Sequence, residues 1–498
     1  MALEGLEPAR VFYFFETITR IPRKSGCEGA VSSWLLDLAA QHGWQAERDD
    51  ACNVRFLIPA SPGLEHAPGL ILQAHMDMVC AKEPGSSFDF SSQQIPVYQE
   101  GGFVRARGTS LGADDGIGVA LILALLEGLT ETGAPHPPLR ALFTAGEETM
   151  LAGAQALDPA WLDCGWLVGL DYSSNDAILV SCAGISLLRT SLPVQRTPLD
   201  GSYALFSLSL TGLLGGHSAK AIHLGRGNAI RLLAEVCAVL TRTYGCNLMN
   251  LGGGTALNAI PDAASAHLIC PIAAAPRVQA AVKCIAAELY DRWHEQEPGL
   301  RLDWTRGELA SPSPLAEDTV GSLLNFVTGL TIGAFTMAEI GPPRAESSAN
   351  LGTLRADGNT FSAEISTRSN TEVLHDALLA LHRGLATRWG WSAELVSRSG
   401  AWEYQRDSQL LELVSDAFFA VHGVHPPLEQ IHAGVEGGIF QQKAASRSHR
   451  LQVVNVGCTT LDVHTPRERL KIDTVGKCFR LLQMLLQQTA HIDYVNTT

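Results

Sequence analysis

The chain has 498 residues, 46% of them hydrophobic and 17% charged, and its 36 Lys and Arg stand against 51 Asp and Glu for a formal charge of −15. At roughly 150 residues per domain, this length suggests about three domains or one domain carrying a large insertion. Such a composition excludes disorder along most of the chain, and the acidic balance argues against nucleic acid and membrane surfaces as partners, leaving small substrates or other proteins.

The longest apolar stretch, residues 116–126, is far short of the roughly 20 residues that span a bilayer. The first twenty residues mix acidic and basic side chains through their apolar positions, so they read as the opening amphipathic helix of a cytoplasmic protein. Eleven cysteines, an odd number, are scattered from Cys27 to Cys478 without a CxxC spacing. That argues against a disulfide framework and against a thiolate zinc site, and the expected state is reduced and mostly buried.

In chain order, NVRFLIPA, GLILQAHMD and FVRAR are predicted strands, DGIGVALILALLEGL a helix, and LRALFTA and GWLVGLDY further strands. Short branched apolar runs alternating with helices indicate βα units and a mostly parallel sheet. The pattern breaks around residues 182–200, after which SYALFSLSLTGL alternates strictly, as a half-exposed antiparallel strand does. Helices are predicted at about 225–242, 276–297 and 372–388, interleaved with AHLIC, RLDWTR and TFSAEISTR as strands. SAELVS, a helix near residues 410–420, LQVVNVG and the amphipathic VGKCFRLLQMLLQQ then return to the first style. The expected fold class is α/β: a mostly parallel-sheet domain in two parts, 1–184 and 389–498, with an α+β domain, 185–388, inserted into it.

Acids and histidines cluster where predicted strands end. His75-Met76-Asp77 follows GLILQA; residues two apart on a strand face the same side, so Asp77 can accept from the His75 ring and fix its tautomer. Asp114 and Asp115 lie where a Gly-flanked loop enters a helix, Glu147 and Glu148 follow LRALFTA, Asp171 ends GWLVGL, and His464 follows LQVVNVGCTTLDV. Strand carboxyl ends are where open α/β sheets place their sites. Taken singly, each has a plain structural reading: a hydrogen-bonded histidine, a helix cap, solvated acids, a turn former. Together, five acids at one sheet edge repel unless a positive charge lies among them, and no Lys or Arg stands within these motifs. Two histidines with several carboxylates suit zinc, with manganese or cobalt as alternatives. A Glu-Glu pair can place one carboxylate on a metal and the other on a water as general base.

HMD, GTSLGADDGIG, TAGEE, GLD, GGHSA and the final His, in this order, resemble the dinuclear-zinc peptidase family that includes glutamate carboxypeptidase, aminoacylase and the carnosinases. GGHSAKAIHLGRGNA, LNAIP, HAGVEGGIF and NVGCTTLDVHTP are similar to its aminoacyl-histidine dipeptidase (peptidase D) branch. The resemblance covers nearly the whole chain. It implies a two-zinc catalytic domain and an inserted lid that often mediates homodimerisation. It also implies His75 and Asp171 as ligands of one zinc, Glu148 and His464 as ligands of the other, and Asp114 as the bridge, followed by a cis peptide to Asp115. Asp77 becomes the residue that orients His75, and Glu147 the general base. His217 in GGHSA matches the histidine that holds the oxyanion, from the same subunit or its partner. Asn258 and Arg368 match contacts to the substrate carbonyl and C-terminal carboxylate, the latter suited to a guanidinium fork, and Glu436 lies where an acid can meet the free α-amino group. His223, Arg226 and Asn228 also match the lid string and are read as structural. Two departures stand out: Asp115 where the family more often has Asn, and HTPRE where the branch commonly has HSPDE.

The implied activity is dipeptide hydrolysis, with Xaa-His dipeptides such as β-alanyl-histidine as expected substrates. A broad dipeptidase and an N-acyl-amino-acid deacylase are alternatives within the same family. Two readings from other classes stay open. Gly108-Thr-Ser110-Leu-Gly112 satisfies G-x-S-x-G between a strand and a helix, with Asp171 and His464 following in the order of a serine hydrolase. A non-catalytic scaffold dimerising through its lid is the other.

Overall fold

The computed structural model describes residues 2–490. It resolves into two compact units. The first comprises residues 2–181, 402–430 and 435–490, and the second residues 182–401 together with 431–434.

The first unit is built on an eight-stranded sheet in the order Gln45–Arg48, Val54–Ile58, Leu139–Thr144, Leu70–His75, Trp166–Gly169, Gln452–Asn455, Ile178–Cys182, Leu428–Ile431. The four central strands run parallel, and Gln45–Arg48, Val54–Ile58 and Ile178–Cys182 add antiparallel pairings at the flanks. Every residue of Leu70–His75 is buried, as expected of a strand covered on both faces, whereas the edge strand Gln45–Arg48 has exposed ends. The helix Ala113–Thr132 is apolar nearly all round and packs against both Ala9–Ile18 and Leu70–His75, which explains why its pattern has no polar face.

Register decides what happens at the sheet's edge. His75 pairs with Thr144, Gln73 with Gly169 and Gly169 with Asn455. The carboxyl ends of parallel neighbours are therefore level, and the residues that follow them emerge side by side. Between the strands, Ala113–Thr132 opens irregularly: Asp114 and Asp115 have non-helical backbone angles, and the peptide joining them is cis.

The second unit carries a nine-stranded sheet whose strands pair antiparallel throughout the described residues. Ser202–Thr211 turns Ala204, Phe206, Leu208 and Leu210 into the core, as its alternation requires. Helix Ala229–Tyr244 packs on this sheet and is capped by Asn228, whose Oδ1 accepts from Arg231 N at 3.3 Å. The strand Ser392–Arg398, expected with the second part of the first domain (389–498), instead pairs with Gly184–Pro193 in this sheet. A four- to seven-residue strand carries its side-chain pattern but not the identity of its partner, so the sequence assigned it by proximity alone. Residues 431–434 likewise return to this unit from within the later segment.

Candidate metal centre

The ends of the central strands and the start of Ala113–Thr132 bring polar side chains to a common point. Ligand atoms of His75, Glu147 and Asp171 lie within 4.8 Å of one another, and so do those of His75, Asp114 and Glu148. His464 completes the group from a loop where its own φ is +63°. Its Nε2 is 2.7 Å from Glu148 Oε1 and 3.1 Å from Asp114 Oδ2. Asp114 Oδ1 in turn is 3.1 Å from His75 Nε2. One carboxylate thus turns one oxygen to each of two imidazoles, the arrangement of a bridge.

Asp77, completely buried, organises this cluster from behind. His75 Nδ1 faces both the Asp77 backbone carbonyl, at 3.2 Å, and the Asp77 Oδ1, at 3.5 Å, leaving Nε2 to face Asp114. The same carboxylate accepts from Glu147 N at 3.0 Å and Glu148 N at 3.3 Å. The sequence suggests the first role but not the second, because the partners are 70 residues apart or more.

The electrostatics describe a site with more negative charge than it can hold. Burial and the neighbouring Asp114 push Asp171 up to about 7, and burial with Asp171 raises Glu147 well above the usual carboxylate range. Hydrogen bonds donated to Asp114 and Glu148 raise His464 to about 10. Burial works against ionisation of His75, but Asp114 and Asp77 overcome it and hold the imidazole well above its ordinary value. Divalent cations among these oxygens would relieve the repulsion, and the donor set of two imidazole nitrogens and several carboxylates fits zinc or a similar ion.

Glu436, expected to meet a substrate amino group, lies against the strands Leu70–His75 and Leu139–Thr144. It is 2% exposed, and its Oε2 accepts from Gln73 Nε2 and Thr144 Oγ1, both at 2.7 Å. Burial pushes it up to about 8. Gly437 lies against the Trp402 ring, so this glycine serves helix packing.

Ser110, the serine-hydrolase candidate, is completely buried. Its hydroxyl donates to Val79 O at 2.7 Å and accepts from Ala81 N at 3.1 Å, so it staples two loops and has no proton free for a base.

His217, Asn258 and Arg368 belong to the inserted unit. Gly216–His217 pairs with Ala259–Ile260, Ser218 N donates to Asn258 O at 2.8 Å, and Asn258 Nδ2 is 3.4 Å from His217 Nε2. The exposed His217 ring caps the following turn through Ala219 N at 3.1 Å, and burial with the nearby Arg368 lowers its pKa. Arg368 is buried, donates to His432 O at 3.3 Å, and is pushed down to about 10 by desolvation. Asn350 supports this corner by donating to Ala259 O at 2.8 Å. Arg226 donates to Gly215 O and Asn228 to Leu351 O, both backbone braces.

Sequence reasoning missed Arg23 and gave Glu468 no role. Arg23 is 2% exposed and lies against Gly112 and Gly116, where any Cβ would collide with its guanidinium. The glycines of GADDGIG were the available signal, since they leave space for a large buried group.

A sheet whose parallel strands converge on histidines and carboxylates, with an orienting aspartate and a spare glutamate, defines a metal-dependent hydrolase. Residues 71–488 match the model of peptidase family M20/M25/M40, and the chain belongs to that family. It is 30% identical to the cytosol non-specific dipeptidase of Escherichia coli over 98% of this chain and 99% of that protein. Its fold is similar to that of the aminoacylhistidine dipeptidase from Vibrio alginolyticus, with a TM-score of 0.90, 28% identity and 98% of each chain covered. A tripeptidase from Staphylococcus aureus shares the fold at a TM-score of 0.59 and 15% identity, over 98% of this chain and 100% of the other. No helix among the described residues is long and apolar enough to cross a membrane.

Proposed function

We propose that the chain is a cytoplasmic metallo-dipeptidase acting preferentially on Xaa-His dipeptides, with Glu147 as general base. The observation that carries this reading is Asp114, whose two oxygens each face an imidazole at 3.1 Å, with Glu148 and Asp171 alongside and Glu147 among them. His75 and Asp171 would hold one divalent cation, Glu148 and His464 a second, and Asp114 both, zinc being the ion best suited to this donor set. Bound there, the two cations would polarise the scissile carbonyl and lower the pKa of the attacking water.

The chain's own groups do the rest. Glu147 accepts the proton of the water at a carboxylate oxygen and passes it to the leaving amine. Burial and its acidic neighbours raise its affinity for a proton, the direction that strengthens a carboxylate as a base. Asp77 fixes the Glu147 and Glu148 backbone and the His75 ring in one operation. Arg368 offers a guanidinium to the C-terminal carboxylate, Asn258 an amide to the substrate carbonyl, and His217 a donor to the developing oxyanion, from this subunit or a partner copy. Glu436, whose Oε2 is held by Gln73 and Thr144, offers its other carboxylate oxygen to the free α-amino group.

Homodimerisation through the inserted unit accompanies this reading and is tested by sedimentation of the purified protein. For the substrate, the test is hydrolysis of Xaa-His, Xaa-Gly and N-acetyl amino acids by metal-stripped enzyme with zinc restored. Preference for Xaa-His supports the reading, equal rates on the dipeptides make it a broad dipeptidase, and preference for the acetylated set makes it a deacylase.

A further inference from the structure

The loop that brings His464 also reaches the far side of Asp114. Glu468, 3% exposed, accepts four consecutive backbone N–H groups: Leu111 at 2.9 Å and Gly112 at 3.0 Å on Oε2, Ala113 at 2.8 Å and Asp114 at 3.3 Å on Oε1. A carboxylate is an acceptor on both oxygens, so only the ionised form satisfies all four donors. The loop is itself tightly tied: Thr465 Oγ1 donates to Asp462 O at 2.7 Å and accepts from Arg467 N at 3.1 Å, while Glu468 N donates to Thr465 O at 3.1 Å. Asp462 and His464 both sit in left-handed backbone, with φ of +54° and +63°. A non-glycine residue holds that conformation only when its surroundings impose it.

Arg23 braces the same place from the opposite end of the chain. Its Nη1 donates to Met76 O at 3.2 Å and Asp77 O at 3.1 Å, and its Nη2 donates to Gly112 O. The segment bearing His75 and Asp77 is thereby tied to the segment bearing Asp114, and Glu468 ties that segment to the one bearing His464.

We propose that Glu468 is a positioning residue for the metal centre: by gripping the backbone of residues 111–114 while its own loop delivers His464, it sets Asp114 between the two imidazoles before any cation arrives. Arg23 completes the brace. This rests on the reading of Asp114 as a shared ligand. It assigns a role to the glutamate of HTPRE, the string that follows the ligand His464.

Glu468→Gln keeps the shape but turns an amide N–H₂ toward two of the four N–H groups. The full-length protein is stripped with a chelator and titrated with zinc against a chromophoric chelator, then with Co²⁺ to record its visible absorption. Removal of groups that orient ligands from outside the coordination sphere typically weakens metal binding about 10–100-fold, which is the expected loss here, with altered Co²⁺ bands. The rise in melting temperature on adding zinc should shrink accordingly. A merely structural role would lower the melting temperature of stripped and loaded protein alike and leave affinity and spectrum unchanged, and that result overturns the proposal. Asp114→Asn is the control. If it binds zinc as tightly as the unmodified chain, the reading of Asp114 fails and takes the proposal with it; if it is impaired while Glu468→Gln is not, the proposal alone fails. Should Glu468→Gln not fold, Glu468→Asp, which keeps the charge on a shorter arm, carries the same comparison with an intermediate loss expected.

Discussion

Asp77 carries three loads, which makes its removal the most informative single change. In Asp77→Ala the His75 ring loses the carboxylate 3.5 Å from its Nδ1, and the Glu147 and Glu148 N–H groups, at 3.0 and 3.3 Å, lose their acceptor. Each unsatisfied N–H costs about 1–3 kcal/mol when buried; both groups here are partly buried, so the lower end applies and the pair contributes about 2–3 kcal/mol. Loss of the orienting carboxylate should weaken metal binding about 10–100-fold, or about 1.4–2.7 kcal/mol. Chelator competition measures the second figure, and urea unfolding of the stripped protein measures the first. Asp77→Asn separates them, since it keeps the shape and one acceptor oxygen but removes the charge. It should recover part of the stability and little of the metal affinity. Unchanged zinc affinity in Asp77→Ala would refute the reasoning, because the position would then be a fold residue only.

Glu147→Gln should retain its metal and lose about 10²–10⁴-fold in kcat, since removal of a general base costs about that much; retained turnover at full metal content refutes the base assignment. Arg368→Met should raise KM for dipeptides while leaving dipeptide amides, which lack the carboxylate, nearly unaffected; an equal loss on both would remove Arg368 from substrate binding. His375 is held at about 4 by burial and by Arg398, with Ser186 Oγ 2.5 Å from its Nε2. The unfolded chain takes up that proton near pH 6.5 and the folded chain does not, so its contribution to stability is constant above that pH and falls as pH drops from about 6.5 to 4, by up to about 3 kcal/mol. Urea unfolding of stripped protein should show a shallower fall over that range in His375→Asn than in the unmodified chain, and identical pH slopes would contradict the assignment. Ser110→Ala should keep catalysis, with a loss confined to stability; abolished turnover in a folded variant would revive the serine mechanism.

The elements that were legible in the sequence are those whose pattern is local. The period-2 run in Ser202–Thr211, the apolar run before His75 and the amphipathic face of Ile472–Thr489 each declare a strand or helix without reference to the rest of the chain. The cluster at the strand ends was legible for a related reason, because parallel strands in register bring whatever follows them to one edge. What stayed hidden depends on long-range partners. Glu468 meets residues 111–114 across more than 350 positions, Arg23 meets Gly112 across 89, and Glu436 meets Gln73 across 363. Nothing in the neighbourhoods of Arg23 and Glu468 distinguishes them from ordinary loop charges, and the string around Glu436 marks the residue without showing its partners. The edge strand Ser392–Arg398 was misplaced for the same cause, since its alternation is satisfied by either sheet.

The central claim is that the convergence of His75, Asp114, Glu148, Asp171 and His464 makes this chain a two-metal dipeptidase. Stripping the protein with a chelator and titrating zinc back, while following hydrolysis of β-alanyl-histidine and bound metal together, tests it directly. Activity should vanish on stripping and return as occupancy approaches two ions per chain. Full turnover by protein shown to hold no metal would contradict it.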